Sequence, residues 1–195
     1  MINKNNYDLL KENFGDVASW TIWALPGDKP KSNTGDMSVF EDESTLLKQL
    51  NARYVFVGLN ASEVESGNNV AWSCFHSRSP YQNDFKLRFA LMGTEYWGAY
   101  ITDIIKKFPK TDSGDVKKEI RKNPKLLENN IKVFIDEIAL IGEAPILVAI
   151  GDQTYEYLQE LKKYGCNNTI LKIPHYAKRI SKENYRKQVI ENLTK

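Results

Sequence analysis

The amino-acid sequence predicts an α/β fold, a three-layer αβα sandwich with a central, mainly parallel four-stranded sheet. Two observations predict it. Short runs of β-branched and aromatic residues alternate with segments of helical spacing along the chain. The run ILVAI at 146–150 is apolar at every position, as expected of a strand that is covered on both faces. Together they favour a parallel sheet between two layers of helices.

The first part of the chain predicts two helices, a loop and a buried strand. Residues 5–13 have helical spacing, and SWTIWAL (19–25) alternates like a strand or a packed extended segment. PGDKPKSNTGDM (26–37) is a loop rich in Pro, Gly, Asn and Asp. DESTLLKQL (42–50) begins with acidic residues that suit a helix start, and YVFVGL (54–59) is a buried strand.

The middle of the chain contains a long polar stretch from Asn60 to Gln82. It is too long for a simple connection, which indicates a functional loop. NDFKLRFALMG (83–93) follows as a helix, and WGAYITDII (97–105) as the second strand.

The last part predicts two further strands, each followed by a helix. Before them, Asn123 caps a helix that begins at Pro124, where the missing N–H does no harm. One face of this helix carries Leu127, Ile131, Phe134, Ile135 and Ile138. PILVAIG (145–151) and TILKIP (169–174) are the strands.

Composition excludes several classes of protein. Hydrophobic residues make up 42% and charged residues 27% of the 195 residues, which is typical of a soluble globular protein. We expect a cytoplasmic protein with no membrane segment, since no apolar run approaches about 20 residues. Cys74 and Cys166 are far apart, so no metal and no cofactor, including an iron–sulfur cluster, is expected. No P-loop, HExxH or Gly-x-Ser-x-Gly motif occurs.

Charge is unevenly distributed along the chain. Residues 1–50 hold five Lys or Arg against eight Asp or Glu, whereas residues 172–195 hold seven against two. One interpretation is a solvated C-terminal helix, and the other is a basic edge that faces a polyanion.

Three of the predicted strands end on unusual residues. They are Gly58-Leu59-Asn60, Asp103 and Pro174-His175. Because ligands bind outside the carboxyl ends of the strands in such sheets, we expect these residues to form one site, with the glycine allowing a close approach to the backbone.

Five segments in this order resemble the uracil-DNA glycosylase superfamily, and the pattern is nearest to its mismatch-specific uracil/thymine glycosylases. They are VFVGLNAS, FHSRSPYQNDFKLRFAL, WGAYITDII, ILVAIGDQTYEYL and IPHYA. The resemblance covers about Tyr54 to Arg179. It implies one glycosylase-like domain over residues 1–195, with residues 1–50 as an N-terminal extension packed on it.

The resemblance implies two catalytic residues. Asn60 orients the water that attacks the sugar, and His175 donates to the base as negative charge develops on it. Asn60 as a turn residue and His175 as a structural residue are the alternatives. IPHYA departs from the His-Pro-Ser order of the family motif, and His76 is the reserve donor.

Base binding is assigned to Gly58, Leu59, Phe75 and Asp103. Phe75 is the candidate for stacking on the flipped base, although Trp72 and Phe75 could instead anchor the long loop. Asp103 departs from the asparagine of uracil-specific relatives. As an ionised acceptor it suits a pocket that prefers a base bearing an amino group or that tolerates several bases, unless it points away and caps the next segment.

DNA contacts are assigned to Ser62, Tyr176, Lys178 and Arg179, with one aromatic to wedge into the strand and two cations for phosphates. The expected function is base excision from single- or double-stranded DNA with a flipped base, by a monomer. Two alternatives stay open: an inactive nucleic-acid-binding protein on the same fold, and an enzyme acting on a free nucleoside or nucleotide.

Overall fold

The computed structural model describes residues 2–61, 70–79, 81–106, 108 and 112–195. The helices in this part of the chain are α1 (Lys4–Phe14), α2 (Glu43–Gln49), α3 (Asp84–Leu91), α4 (Ser113–Lys122), α5 (Pro124–Ala139), α6 (Asp152–Gln159) and α7 (Lys182–Leu193). The strands are β1 (Ala18–Trp20), β2 (Asn51–Asn60), β3 (Ala99–Ile105), β4 (Ile146–Ile150) and β5 (Ile170–Ile173). Ser38–Phe40 and Glu160–Tyr164 form short 3-10 helices.

The strands form one mixed sheet in the order β1-β3-β2-β4-β5. All neighbouring pairs are parallel except β1 and β3, where Ser19 lies opposite Ile101 in an antiparallel pair. The predicted fold class is therefore confirmed, and β2 to β5 are its four parallel strands. The sheet also has a fifth strand, β1, whose three residues are all buried.

Helices cover both faces of the sheet. Along β2, Val55 and Val57 belong to one buried cluster, and Tyr54 and Phe56 belong to the other. The first cluster includes side chains from α1, α2, α4, α5 and α6, whereas α3 and α7 pack on the second. This alternation gives the three layers, because successive side chains of a strand point to opposite faces.

Two helices show what the sequence pattern did and did not reveal. The helix α5 begins at Pro124 as predicted, and Asn123 precedes it without a side-chain capping bond. The helix α4 has no predicted counterpart. Its ten residues are mostly polar, and only Val116 and Ile120 are buried, so the apolar spacing of the sequence indicates this helix weakly.

The register of β2 and β3 brings the predicted site residues together. Gly58 lies opposite Asp103, and Asn60 lies opposite Ile105. The predicted strand over residues 97–105 has Asp103 near its end, and β3 likewise runs to Ile105, two residues beyond Asp103. The side chain of Asp103 therefore reaches the edge of the sheet from within the strand, across Gly58.

Candidate active site

A cleft of about 600 Å³ opens at the carboxyl-terminal edge of the sheet. Its walls come from the ends of β2, β3 and β4, the start of α6 and the segment after β5. Seven of the predicted site residues line it: Gly58, Leu59, Asn60, Phe75, Asp103, His175 and Tyr176. Parallel strands place their carboxyl ends at one edge, which is why residues distant in sequence meet here.

Gly58 is needed because of the Asp103 carboxyl group. A Cβ atom at residue 58 would lie 2.2 Å from Asp103 Oδ1, closer than any real contact, and 3.5 Å from Phe75 Cε1. The glycine therefore gives room to a neighbouring side chain of the same site, and the carboxyl group fills that room.

Asp103 is a buried carboxyl group, 5% exposed, that lines the cleft. Burial raises its pKa to about 7; the nearby Lys106 ammonium lowers the pKa and the Glu137 carboxylate raises it. Asp103 therefore exists both as a carboxylic acid and as a carboxylate near neutral pH. The acid can donate a hydrogen bond, and the carboxylate can only accept one.

A buried polar cluster supports Asp103 from behind. Lys106 Nζ lies 2.7 Å from Glu137 Oε2 and also donates to the Thr102 hydroxyl and the Asp103 carbonyl oxygen. The Tyr100 hydroxyl donates to Glu137 Oε1 at 2.9 Å. With its charges paired and hydrogen-bonded inside the protein, this cluster fixes the end of β3 against α5.

Asn60 is held through its amide nitrogen. Nδ2 donates to the carbonyl oxygens of Ala61 and Phe108, both at 3.0 Å. This anchoring helps to fix the amide plane at the end of β2, where Asn60 lines the cleft.

His175 is held as the tautomer that donates through Nε2. The Ala177 N–H donates to His175 Nδ1 at 3.1 Å, so in the neutral ring the proton is assigned to Nε2. Desolvation lowers the pKa of the imidazole, which keeps it neutral at neutral pH. Its ring lies 4.4 Å from that of Tyr176. The neutral ring of His175, a residue that lines the cleft, thus carries its N–H donor at Nε2.

Trp72 and Phe75 both have left-handed backbones, with φ of 68° and 65°. Such values are strained for large side chains. Trp72 is buried and donates through its indole to the Tyr7 hydroxyl at 2.9 Å, so it anchors the loop. Phe75 accepts at its carbonyl from the Trp23 indole at 3.0 Å, and its ring lines the cleft.

His76 is not among the cleft residues. It is 4% exposed, its Nε2 lies 2.9 Å from Ser19 Oγ, and burial lowers its pKa to about 3. Trp23 and Phe40 pack against its ring. The expectation of His76 as a reserve donor is therefore wrong, since core packing separates it from the cleft.

The predicted DNA-contact residues do not all line the cleft. Tyr176 lines the cleft against His175, whereas Lys178 lines an adjoining hollow and donates to Gln188 Oε1 at 3.0 Å. Arg179 is exposed beside it. Ser62 lies outside the described residues.

A comparison with protein-family models decides the family. The model described as the uracil DNA glycosylase superfamily matches residues 46–194. The chain belongs to the uracil-DNA glycosylase superfamily. No curated protein and no solved structure matched the chain. Membership supports a DNA glycosylase-like function in general, with DNA as the substrate; the mismatch-specific subtype stays a prediction.

Two further properties concern only the described residues of this superfamily member. None of its helices there has the length and apolar character needed to cross a membrane. In the same residues, no three side chains of His, Cys, Asp or Glu come together as a group that could hold a metal ion.

Several polar residues that line this glycosylase-like cleft are not indicated by the sequence pattern. They are Gln82, Asn83, Ser113, Asp152, Gln153 and Thr154. Asn83 precedes α3 but makes no side-chain capping bond, which separates it from an ordinary helix cap. Ser113 begins the unpredicted α4. Only their position at helix starts could have indicated them.

We predict that Gly58→Ala lowers the free energy of unfolding by about 1–3 kcal/mol, because the new Cβ overlaps the Asp103 carboxyl group. In an Asp103→Ala background the same change should cost less than about 1 kcal/mol, since the overlapping atoms are gone. Urea denaturation of the four proteins measures both costs. Equal costs in the two backgrounds would contradict the close approach.

We predict that the free energy of unfolding of Asp103→Asn, relative to that of the wild type, is higher at about pH 8 than at about pH 4. Between these values the folded protein retains a proton that the unfolded chain has lost, so the wild type loses stability as pH rises toward 7. A shift of about three pKa units corresponds to a difference of up to about 4 kcal/mol. Urea denaturation at both pH values tests this, with Asp28→Asn at an exposed position as control. An equal effect of Asp103→Asn at both pH values would refute it.

Proposed function

We propose that this protein hydrolyses the N-glycosidic bond of a damaged or mismatched base that has been flipped out of DNA into the cleft. The observation that carries the proposal is that Asn60, Asp103 and His175, from three separate strands or strand ends, line one cleft of about 600 Å³. Base-flipping enzymes read an extruded base in such a pocket. We further propose that residues 1–195 act as one domain and as a monomer.

Asn60 is the residue that we propose orients the attacking water. In the reaction, the water oxygen bonds to C1′ of the deoxyribose as the C1′–N bond breaks. The base leaves with the bonding electron pair and takes up the proton that the water gives up. An amide accepts a hydrogen bond from the water but cannot take its proton at neutral pH, so turnover is expected to be slow.

His175 has the properties of the group that stabilises the leaving base. Its neutral Nε2–H can donate to a base oxygen on which negative charge develops, and the Ala177 N–H bond fixes that tautomer. Loss of one such preorganised donor typically costs about 10²–10³ in rate. Phe75 supplies an aromatic wall for stacking.

Asp103 is the group we propose for choosing the base. As an acid it donates to a base carbonyl, and as a carboxylate it accepts from an exocyclic amine. A pKa of about 7 supports a cleft that takes either kind of base, with the preference set by pH. The charged groups behind it are Lys106 and Glu137, which are paired with each other.

The segment after β5 is proposed to hold the DNA backbone. Lys178 and Arg179 are exposed cations beside the cleft, and the carbonyl oxygen of Lys178 is bound by the buried Lys86 amine at 2.9 Å. To wedge into the DNA strand as proposed, the Tyr176 ring would have to move away from the His175 ring that it contacts.

We predict that the wild type, in excess over substrate, releases at least one of uracil, mismatched thymine, hypoxanthine, xanthine or an amino-bearing lesion from short oligonucleotides. Asn60→Ala should slow release at least about 100-fold, because the attacking water loses its partner, and should leave DNA affinity within about threefold. Hot alkali converts the abasic sites to strand breaks for measurement. Asn13→Ala on α1, an exposed asparagine outside the cleft, is the matched control.

Absence of release across this panel would overturn the proposal. Salt-sensitive DNA binding without release would identify a binding protein on the glycosylase fold. If the protein neither releases a base nor binds DNA, the alternative of an enzyme that acts on free nucleosides is favoured.

We predict opposite pH dependences for two classes of base. Release of a base that presents a carbonyl to Asp103 should fall about tenfold per pH unit above about 7, as the donor is lost. Release of a base that presents an amine should instead rise toward a plateau. Single-turnover rates between pH 5.5 and 9 measure both profiles. In Asp103→Asn the two classes of base should no longer show opposite pH dependences. Identical profiles for both bases in the wild type would contradict the role of Asp103.

A further inference from the structure

A second hollow, of about 580 Å³, adjoins the cleft at Gln82, which lines both. Its charged lining residues are Lys29, Lys31, Asp36, Arg78 and Asp84, and we call it the N-terminal groove. One wall is the loop of residues 26–36, which precedes the family match over residues 46–194. The superfamily assignment therefore says nothing about this wall.

A buried arginine holds the loop in place. Arg88 of α3 is 2% exposed and donates to the carbonyl oxygens of Ala24, Pro30 and Ser32, at 2.8, 2.7 and 2.8 Å. All three of these acceptors are neutral. The arginine thus fixes the loop and places a positive charge beneath it.

A second arginine lies across the loop. Arg78 Nε donates to the Gly35 carbonyl oxygen at 3.1 Å, and a Cβ at residue 35 would lie 2.3 Å from Arg78 Cγ. Gly35 therefore lets the arginine stem lie flat on the backbone. The loop and Arg78 form one preorganised surface.

The exposed charges of the groove are mainly positive. Lys29, Lys31 and Arg78 are exposed cations, against one exposed carboxylate, Asp36, which accepts from the Ser38 N–H at 3.0 Å. The second carboxyl group, Asp84, is 2% exposed and accepts from the Ser77 N–H at 2.9 Å. Cations on a fixed backbone suit a series of phosphates.

Tyr81 stands at the border between the groove and the cleft. It is 89% exposed, and its N–H lies 3.4 Å from Ser79 Oγ in the groove wall. Gln82, the residue that both cavities share, follows it directly. An aromatic ring standing in solvent beside a base-sized cleft offers a face on which a nucleobase can stack.

The cleft lies between this groove and a hollow of the C-terminal segment. The latter hollow has a volume of about 580 Å³, is lined by Lys178, and shares Gly151, Asp152, His175 and Ala177 with the cleft. The two flanking cavities have no lining residue in common. A nucleotide flipped into the cleft has a phosphate on each side, so the strand leaves the cleft in two directions.

We propose that the N-terminal groove binds the DNA phosphates on one side of the flipped nucleotide, and that Tyr81 stacks on the neighbouring base. The inference rests on the proposed function and extends it, because it gives the chain before the family match a part in binding DNA.

The experiment is a binding titration of the full chain with a fluorescein-labelled oligonucleotide that carries a tetrahydrofuran abasic analogue, which has no glycosidic bond to hydrolyse. Fluorescence anisotropy at several NaCl concentrations gives the slope of log Kd against log salt. The double variant Lys29→Ala/Lys31→Ala should reduce the magnitude of this slope by about 1–2, since each lost phosphate contact removes about 0.7–0.9.

The matched control removes the same charge elsewhere. Lys122→Ala/Lys125→Ala changes two exposed lysines of α4 and α5 that line neither the cleft nor its flanking hollows. Its salt slope should equal that of the wild type. Equal slopes for the two double variants would overturn the phosphate assignment.

Tyr81 is tested by two substitutions. Tyr81→Ala should weaken binding roughly 5- to 150-fold, the range for loss of one stacked base, whereas Tyr81→Phe should stay within about threefold of the wild type. Wild-type affinity in Tyr81→Ala would overturn the stacking assignment. Thermal melting of each variant verifies that it is folded.

Base release, measured separately, distinguishes this inference from the proposed function. A wild type that binds through Lys29 and Lys31 but releases no base leaves the groove established and the glycosylase proposal refuted. If the wild type releases base but Lys29→Ala/Lys31→Ala binds DNA as the wild type does, the glycosylase proposal is supported and the groove assignment is refuted. No DNA binding at all would overturn the groove.

Discussion

The close approach of Asp103 to Gly58 across β2 and β3 is the constraint on which the site depends. Desolvating a carboxyl group disfavours its charged form, and here burial raises the pKa of Asp103 to about 7. Gly58 leaves room for this group at the carboxyl edge of the sheet, where the cleft opens. A side chain at residue 58 would displace it. The glycine that follows the apolar run of β2 is thus explained by its neighbour on β3.

The core behind Asp103 makes this arrangement specific. The Lys106–Glu137 pair is almost fully buried, and such pairs rarely add net stability because both charges lose their water. What this pair does is fix geometry: it joins the end of β3 to α5, and the Lys106 amine also binds the Asp103 carbonyl oxygen. The same two charges act on the Asp103 carboxyl with opposite signs, so the core and the cleft are electrostatically linked.

Much of the fold and part of the site could be predicted from sequence. Periodicity revealed the four parallel strands, and their shared carboxyl edge brought Asn60, Asp103 and His175 together. Periodicity carries no register, so it could not reveal that Asp103 lies opposite Gly58. It also could not separate the buried His76 from a cleft residue, since that depends on packing by Trp23 and Phe40. The N-terminal groove depends on Arg88, whose three acceptors are distant in sequence.

The proposed choice of base depends on Asp103 being a buried carboxyl group that can be either donor or acceptor at the cleft near neutral pH. The most direct measurement is an NMR titration of the ¹³C-labelled aspartate side chains, with the Asp103 Cγ signal assigned by its loss in Asp103→Asn. We expect a midpoint near pH 7. A midpoint near 4, the value of an exposed aspartate, would contradict the account, because Asp103 would then be only an acceptor.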